Sequence, residues 1–170
     1  MRRGTTSRGF TLIELLIVIA IIGIIAAILV PNLLDALQKT KQKRAMGDIK
    51  LVGTAMMAWL TDQAGAAGAA GQTTVDVSEI PPRSSVDLED ILIPAYIQQI
   101  PVLDPWRKAY DYRLDLNDPH GQEILAVRSF GRDRTEDASE YETGSFEPTD
   151  YDQDLVWVDG GFLRWPGQGS

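Results

Sequence analysis

The sequence has 170 residues, no cysteine, one histidine and a formal net charge of −8. This length suits one domain with an appended segment, and the lack of cysteine excludes a disulfide scaffold, a thiolate metal site and a cysteine nucleophile. Residues 1–50 carry eight Lys/Arg and three Asp/Glu (+5), whereas residues 51–170 carry eight and 21 (−13). The acidic balance argues against nucleic acid as a partner.

An apolar segment runs from Phe10 to Val30 and is interrupted only by Thr11 and Glu14. As an α-helix these 21 residues would be about 31 Å long, enough to cross a bilayer core of about 30 Å. A cleaved secretory signal is the alternative, but its apolar core is usually shorter and a small-residue cleavage site follows it. The pattern favours a membrane-spanning helix. Glu14, near one end, is either an interfacial charge or a carboxylate that needs a cationic partner.

Residues 8–15 read RGFTLIEL, which resembles the N-terminal signal of type IV pilins and pseudopilins. The resemblance implies that a prepilin peptidase removes residues 1–9 by cutting between Gly9 and Phe10, and then methylates the Phe10 amine. It also implies that Glu14 pairs with the Phe10 amine of a neighbouring subunit during filament assembly.

Pro31 ends the apolar run, and proline removes one helical hydrogen bond and crowds the preceding turn. A helix end at the membrane surface is one interpretation, but the helical pattern resumes beyond it. We predict one long helix over about residues 11–63, kinked or locally loosened near Pro31, with an amphipathic second half that packs on a sheet. Its predicted apolar face holds Met46, Ile49, Val52, Met56 and Leu60, and its polar face holds Lys43, Asp48, Lys50, Thr54 and Asp62.

The Ala/Gly-rich residues 64–71 predict the end of this helix and a flexible link, because each glycine costs a helix about 1 kcal/mol relative to alanine. Ser85 is the predicted cap of a short helix over residues 86–92.

Residues 93–112 resemble the major-pseudopilin domain of type II secretion systems. They keep an Asp-Pro-Trp sequence at residues 104–106 and the spaced Tyr110 and Tyr112, but residues 107–109 depart from the family pattern. We expect the tryptophan and the two tyrosines to pack in the core, and Asp104 to accept hydrogen bonds from nearby N–H groups of a turn fixed by Pro105.

Short strands are predicted over residues 110–116 and 124–130, on either side of a turn that leaves His120 exposed, and over residues 155–158 and 162–165 around a second turn. Together they predict a small antiparallel sheet of three to five strands. The fold class is α+β, and the resemblance implies a pilin-like fold. The predicted division is a cleaved leader (1–9), a transmembrane helix half (10–31), an amphipathic half (32–63), a connecting region (64–109) and the sheet with an acidic loop (110–170).

Residues 131–154 form that acidic loop, with nine Asp/Glu. It fails the EF-hand pattern, because Leu155 stands in place of the glycine and Gly161 in place of the bidentate glutamate. The resemblance implies calcium in this loop, with Asp133, Asp152 and Asp154 as candidate ligands. A solvated acidic loop is the alternative.

The resemblance implies a structural subunit of a filament, most directly the major pseudopilin of a type II protein secretion system. The implied partners are copies of itself, minor pseudopilins, the prepilin peptidase, an inner-membrane assembly platform and the lipid bilayer, with the C-terminal domain in the periplasm. The alternatives are a type IV pilus subunit for adhesion, motility or DNA uptake, and a membrane-tethered periplasmic binding domain. An enzyme is not expected, because the sequence has no phosphate loop, no nucleophile elbow and no distinct acid/base pair.

Overall fold

The computed structural model describes residues 10–64, 74–116 and 124–167. The chain divides into two compact units, residues 1–37 and residues 38–170. Helix α1 (Leu12–Ala64) contains Pro31 and continues through it without a break in helical assignment. The helix therefore does not end at the proline, and the kink expected there stays a prediction.

The second unit is built on a six-stranded sheet. Its strands are β2 (Pro82–Arg83), β3 (Asp111–Leu114), β4 (Leu125–Ser129), β6 (Gly144–Phe146), β7 (Leu155–Val158) and β8 (Gly161–Pro166). Their order across the sheet is β2-β3-β4-β7-β8-β6, and all neighbouring strands are antiparallel except β6 and β8, which are parallel.

The four predicted strands correspond to β3, β4, β7 and β8, and both predicted hairpins pair antiparallel. Asp159 and Gly160 have φ angles of 42° and 109° in the β7–β8 turn, where glycine tolerates a positive φ without steric cost. The other predicted turn, with His120, lies outside the described residues. The prediction of one antiparallel sheet of three to five strands was wrong in two respects, since the main sheet of the described residues has six strands and its β6–β8 pair is parallel.

The main core lies between the second half of α1 and one face of the sheet. The predicted apolar positions from Ile49 to Leu60 are buried there, together with side chains of β3, β4 and β7. Gly53 lets the helix approach the sheet closely, because a Cβ at this position would lie 2.5 Å from the Trp157 ring. The amphipathic pattern therefore predicted both the helix and its buried face.

A second core covers the opposite face of the sheet. A two-stranded antiparallel sheet of β1 (Thr74–Asp76) and β5 (Glu140–Glu142) supplies Val75 and Tyr141 to it. Because this layer covers the second face, all five residues of β4 are buried.

A short helix, α2 (Ser85–Leu92), precedes the connection to β3. Its N-cap is Ser84, so the prediction of Ser85 as the cap was wrong by one residue. The Ser84 hydroxyl accepts a hydrogen bond from the Asp87 N–H (3.1 Å), and the Asp87 carboxylate accepts one from the Ser84 N–H (3.1 Å). This reciprocal capping box satisfies two N–H groups at the helix start, so it shifts the cap by one residue.

Candidate functional site

The start of α1 is closed by a hydrogen-bonded pair, Thr11 and Glu14. The Thr11 N–H and hydroxyl both donate to Oε2 of Glu14, at 2.9 and 2.8 Å, and the Glu14 N–H donates to the Thr11 hydroxyl at 3.3 Å. Thr-x-x-Glu just before an apolar helix is a capping box. Among the described residues the other carboxylate oxygen, Oε1, has no hydrogen-bond partner.

The helix that follows exposes its apolar side chains on every side. The large apolar residues between Leu12 and Leu37 are 45–88% exposed, and α1 is long and apolar enough to cross a membrane. The residues shown in that range are Leu12, Ile13, Leu15, Leu16, Ile17, Val18, Ile19, Ile21, Ile22, Ile24, Ile25, Ile28, Leu29, Val30, Leu33, Leu34 and Leu37. A helix that is apolar all round needs an apolar environment outside itself.

Asp104 organises the turn before β3, as its place in the Asp-Pro-Trp sequence predicted. Its buried carboxylate accepts hydrogen bonds from the N–H groups of Trp106 (3.0 Å) and Lys108 (2.9 Å) and from the hydroxyl of Ser129 (2.8 Å). The first two bonds close the turn, and the third joins the turn to β4. Asp104 therefore has a structural role.

The three aromatic residues of this segment are buried, as predicted. The Trp106 Nε1–H donates to Oε1 of Gln38 at 2.8 Å, and the Tyr110 hydroxyl donates to Asp48 at 3.1 Å. The Tyr112 hydroxyl donates to a backbone carbonyl in the preceding connection. Burial raises the pKa of both tyrosine hydroxyls, so they remain neutral donors. The contacts of Trp106 and Tyr110 fasten this segment to α1.

A buried ionic network centred on Arg128 of β4 extends into the acidic loop. Its guanidinium donates from Nη2 to Asp111 (2.7 Å) and from Nη1 to Glu136 (2.8 Å), and it is only 2% exposed. Nη1 also donates to the hydroxyl of Tyr141 (3.0 Å), which donates in turn to Oδ2 of Asp154. This network ties the acidic loop to the second core.

Asp154 is 1% exposed, and its Oδ1 has no hydrogen-bond partner. Its Oδ2 also accepts from the Asp137 N–H at 3.1 Å, and the Asp154 N–H donates to the Asp137 carboxylate at 2.9 Å. Burial raises the pKa of Asp154 to about 6, and the Tyr141 hydrogen bond acts in the opposite direction.

Two curated relatives match most of the chain. The type II secretion system core protein G of Klebsiella michiganensis is 32% identical over 133 residues, covering 77% of this chain and 87% of the relative. The protein of that name from Escherichia coli strain K12 is 31% identical over 140 residues, covering 81% and 92%. The chain belongs to the core protein G family of type II secretion systems. No solved structure gives a significant match.

Two further comparisons concern shorter stretches than the core protein G match. The model of the prokaryotic N-terminal methylation motif matches residues 5–30. The type IV major pilin protein of Myxococcus xanthus is 46% identical over 62 residues, which cover 36% of this chain and 28% of the pilin. Because the first unit has only 37 residues, the similarity to core protein G extends well into the second unit, whereas the similarity to this pilin is confined to about a third of the chain.

The structure also shows the surroundings of three further residues that were predicted from the sequence to be functional. Gly9 lies outside the described residues, and Phe10 is 74% exposed just before α1. Asp133 accepts hydrogen bonds from the N–H (3.1 Å) and hydroxyl (2.5 Å) of Thr135. Asp152 forms a two-pronged ion pair with Arg132, at 2.8 and 2.6 Å, which lowers the Asp152 pKa.

The calcium ligands predicted for this core protein G member do not fit as one set. Calcium takes six to eight oxygen ligands, but Asp152 is held by a guanidinium, Asp133 bonds within its own turn, and only Asp154 has a buried oxygen free. Within the part of the chain that the structure describes, no three acidic or histidine side chains form a group that could hold a metal. Calcium binding by the loop stays a prediction from sequence.

Sequence reasoning missed the Thr11–Glu14 capping box and the buried Arg128 network. The first carried a readable signal, since Thr-x-x-Glu precedes the apolar run. The second carried none, because residues separated by 8 to 17 positions meet only after the strands pair.

Proposed function

We propose that this chain is the major structural subunit of a type II secretion pseudopilus, a filament assembled from the inner membrane. The observation that carries the proposal is the similarity to core protein G over about four-fifths of the chain. The type IV pilus alternative rests on a relative that covers about a third of the chain.

The exposed apolar helix of the first unit supports a subunit that changes its surroundings during assembly. Side chains that are exposed all round require lipid before assembly and other apolar helices afterwards. A filament centre made of copies of this helix supplies that second environment. In this proposal the chain crosses the inner membrane once, with its globular unit in the periplasm.

Processing precedes assembly in this proposal. A prepilin peptidase cuts between Gly9 and Phe10 and methylates the new amine, and the methylation-motif match over residues 5–30 supports this step. The inner-membrane assembly platform then adds the subunit to a filament that also contains minor pseudopilins. Mass spectrometry of protein extracted from membranes should find methylated Phe10 at the N-terminus. A retained leader would contradict the processing step.

Glu14 is the residue proposed to set the register between subunits. Its Oε2 is occupied by Thr11, so Oε1 is the oxygen available to the Phe10 amine of a neighbour. A carboxylate buried among apolar helices without a cation would be costly, so pairing favours the correct docking position.

The role of Glu14 in docking can be separated from its role in the capping box. Glu14→Ala removes both, whereas Glu14→Gln keeps a side chain that can complete the capping box but removes the charge. Thr11→Ala weakens the cap and keeps the charge. We expect both Glu14 variants to enter the membrane but to form at least tenfold fewer filaments, and Thr11→Ala to assemble within about twofold of the unmodified chain. Sedimented filaments and membrane fractions are compared by immunoblot.

Normal assembly of Glu14→Gln would contradict the pairing. Loss of secretion in cells lacking this chain, with type IV pili intact, would separate the pseudopilus from the type IV pilus alternative. Normal secretion together with loss of pili would favour the alternative.

A further inference from the structure

One side of α1 in the second unit carries a lysine stripe, defined as Lys39, Lys43 and Lys50. With 3.6 residues per turn, these positions lie within about 40° of one another around the helix axis. All three side chains are exposed. None forms an ion pair with any residue that the structure describes.

The same unit carries a surface of opposite charge, the carboxylate face, defined as Asp76, Glu140 and Glu142. Asp76 of β1 lies directly opposite Glu140 of β5, and Glu142 is two residues further along the same strand. Side chains alternate along a strand, so these three point away from the buried Val75–Tyr141 side. Both glutamates are exposed and Asp76 is half-buried.

The carboxylate face is not neutralised by the described part of its own chain. Asp76 accepts two hydrogen bonds from Ser78, at 2.9 and 2.6 Å. Arg113 attracts Asp76 electrostatically but forms its ion pair with Asp111 instead. Like charges opposite one another weaken a strand pair. A cation from outside the subunit would therefore relieve a repulsion that the folded chain retains.

The two surfaces match in spacing as well as in charge. Lys39 and Lys43 are separated by about 6 Å along the helix, and Glu140 and Glu142 by about 6.8 Å along the strand. Two different complementary surfaces on one chain form a head-to-tail contact, which generates an open helical filament when it does not close into a ring.

We propose that the lysine stripe of one subunit binds the carboxylate face of a neighbouring copy. The inference rests on the proposed filament function and names the surfaces that join its globular units. Anionic lipid is the competing occupant of the stripe. A lipid surface would leave the carboxylate face unexplained and would repel it, whereas a second copy accounts for both surfaces.

The direct test is carbodiimide crosslinking of filaments made from the full chain, since this reagent joins an amine and a carboxylate without a spacer. Filaments are assembled from a mixture of ¹⁴N- and ¹⁵N-labelled subunits, and crosslinked peptides are identified by mass spectrometry. We expect peptides of mixed isotope that join Lys39, Lys43 or Lys50 to Asp76, Glu140 or Glu142.

Charge reversal gives an independent measurement. Lys43→Glu and Glu140→Lys should each lower the filament yield at least tenfold, and the double variant should return it to within about twofold of the unmodified chain. Arg107→Glu and Asp90→Lys change exposed charges outside both surfaces and should leave the yield within twofold. Thermal melts by circular dichroism verify that each variant folds.

The outcomes separate this inference from the proposed function. Filaments that contain no mixed-isotope link overturn the inference alone, as does failure of the double variant to recover. A Lys43→Glu variant that loses binding to phosphatidylglycerol vesicles, while Glu140→Lys assembles normally, overturns it in favour of lipid. Absence of any filament from the unmodified chain overturns the proposed function and this inference with it.

Discussion

Residues 10–37 and residues 38–170 place their apolar side chains in opposite environments. In the first unit the large apolar residues are about half or more exposed, whereas in the second Met56, Leu125 and Val127 have no exposed surface. Both environments include residues of the same helix, α1. Helix propensity therefore does not distinguish the two units; the layer packed against the helix does.

The comparison has a functional consequence. The second unit buries two cores against its own sheets, so its stability depends on internal packing. In the proposed function, the first unit gains its apolar burial from lipid or from other subunits. Substitutions in the second unit should therefore lower its unfolding free energy, whereas substitutions in the first unit should not. The following predictions test that difference.

The largest effect is expected for Trp157→Ala. The Trp157 ring is 3% exposed and lies beside Gly53 of α1, and removing a buried tryptophan typically costs about 3–5 kcal/mol of unfolding free energy. Leu16→Ala is the matched control, because Leu16 is 62% exposed in the other unit. Urea unfolding of the detergent-solubilised chain, followed by tyrosine fluorescence, should register only the first. An equal loss from Leu16→Ala would show that the two units are not energetically separate.

The next effect is expected for Arg128→Ala. The variant removes the buried hydrogen bonds that the guanidinium donates to Asp111, Glu136 and Tyr141. Asp111 keeps its ion pair with Arg113, so the expected cost of about 3 kcal/mol comes from the lost charge-assisted hydrogen bonds. Arg132→Ala breaks a pair whose side chains are 49% and 41% exposed, and such surface pairs contribute less than about 1 kcal/mol. The same unfolding measurement compares the variants. Equal losses would contradict the assignment of the buried network as the stabilising one.

The parts of the fold that the sequence predicted are those with a local signal. The 3.6-residue pattern from Met46 to Leu60 located the amphipathic half of α1, and two turn signals located the strands on either side of them, β3, β4, β7 and β8. The RGFTLIEL signal and the Asp-Pro-Trp turn indicated the family by resemblance.

The parts that the sequence did not predict depend on pairing between distant residues. Strands β1, β2, β5 and β6 have only two or three residues each, too few for a period. The second core forms only when β1 and β5 pair across more than 60 positions. The burial of part of the acidic loop also depends on this long-range pairing, so the sequence could not predict it.

Asp154 should make the second unit more stable as the pH falls from 7.5 to 4.5. Burial raises its pKa to about 6, whereas an unfolded aspartate has a pKa of about 3.9. The folded chain thus binds more protons between these values, and its unfolding free energy rises on acidification. Relative to Asp154→Asn, the gain should be about 2 kcal/mol.

Asp152→Asn is the matched control for this pH dependence. Arg132 lowers the pKa of Asp152, so this carboxylate stays charged between pH 7.5 and 4.5. The difference in unfolding free energy between Asp152→Asn and the unmodified chain should therefore not change over this pH range. Urea unfolding at several pH values measures both differences. A flat Asp154→Asn difference would contradict the raised pKa of Asp154.

The smallest expected effect is that of calcium, which tests whether the acidic loop is more than a solvated surface. At a calcium concentration ten times the Kd, binding to the folded state would add about 1.4 kcal/mol and raise the melting temperature. For Asp152 to serve as a ligand, calcium must displace Arg132 from both of its oxygens. Arg132→Ala removes that competitor, so its melting temperature should rise more with calcium than that of the unmodified chain. Magnesium at the same concentration is the control for screening. Unchanged melting temperatures in both chains would contradict calcium binding and leave the loop's exposed carboxylates free for contacts with other subunits.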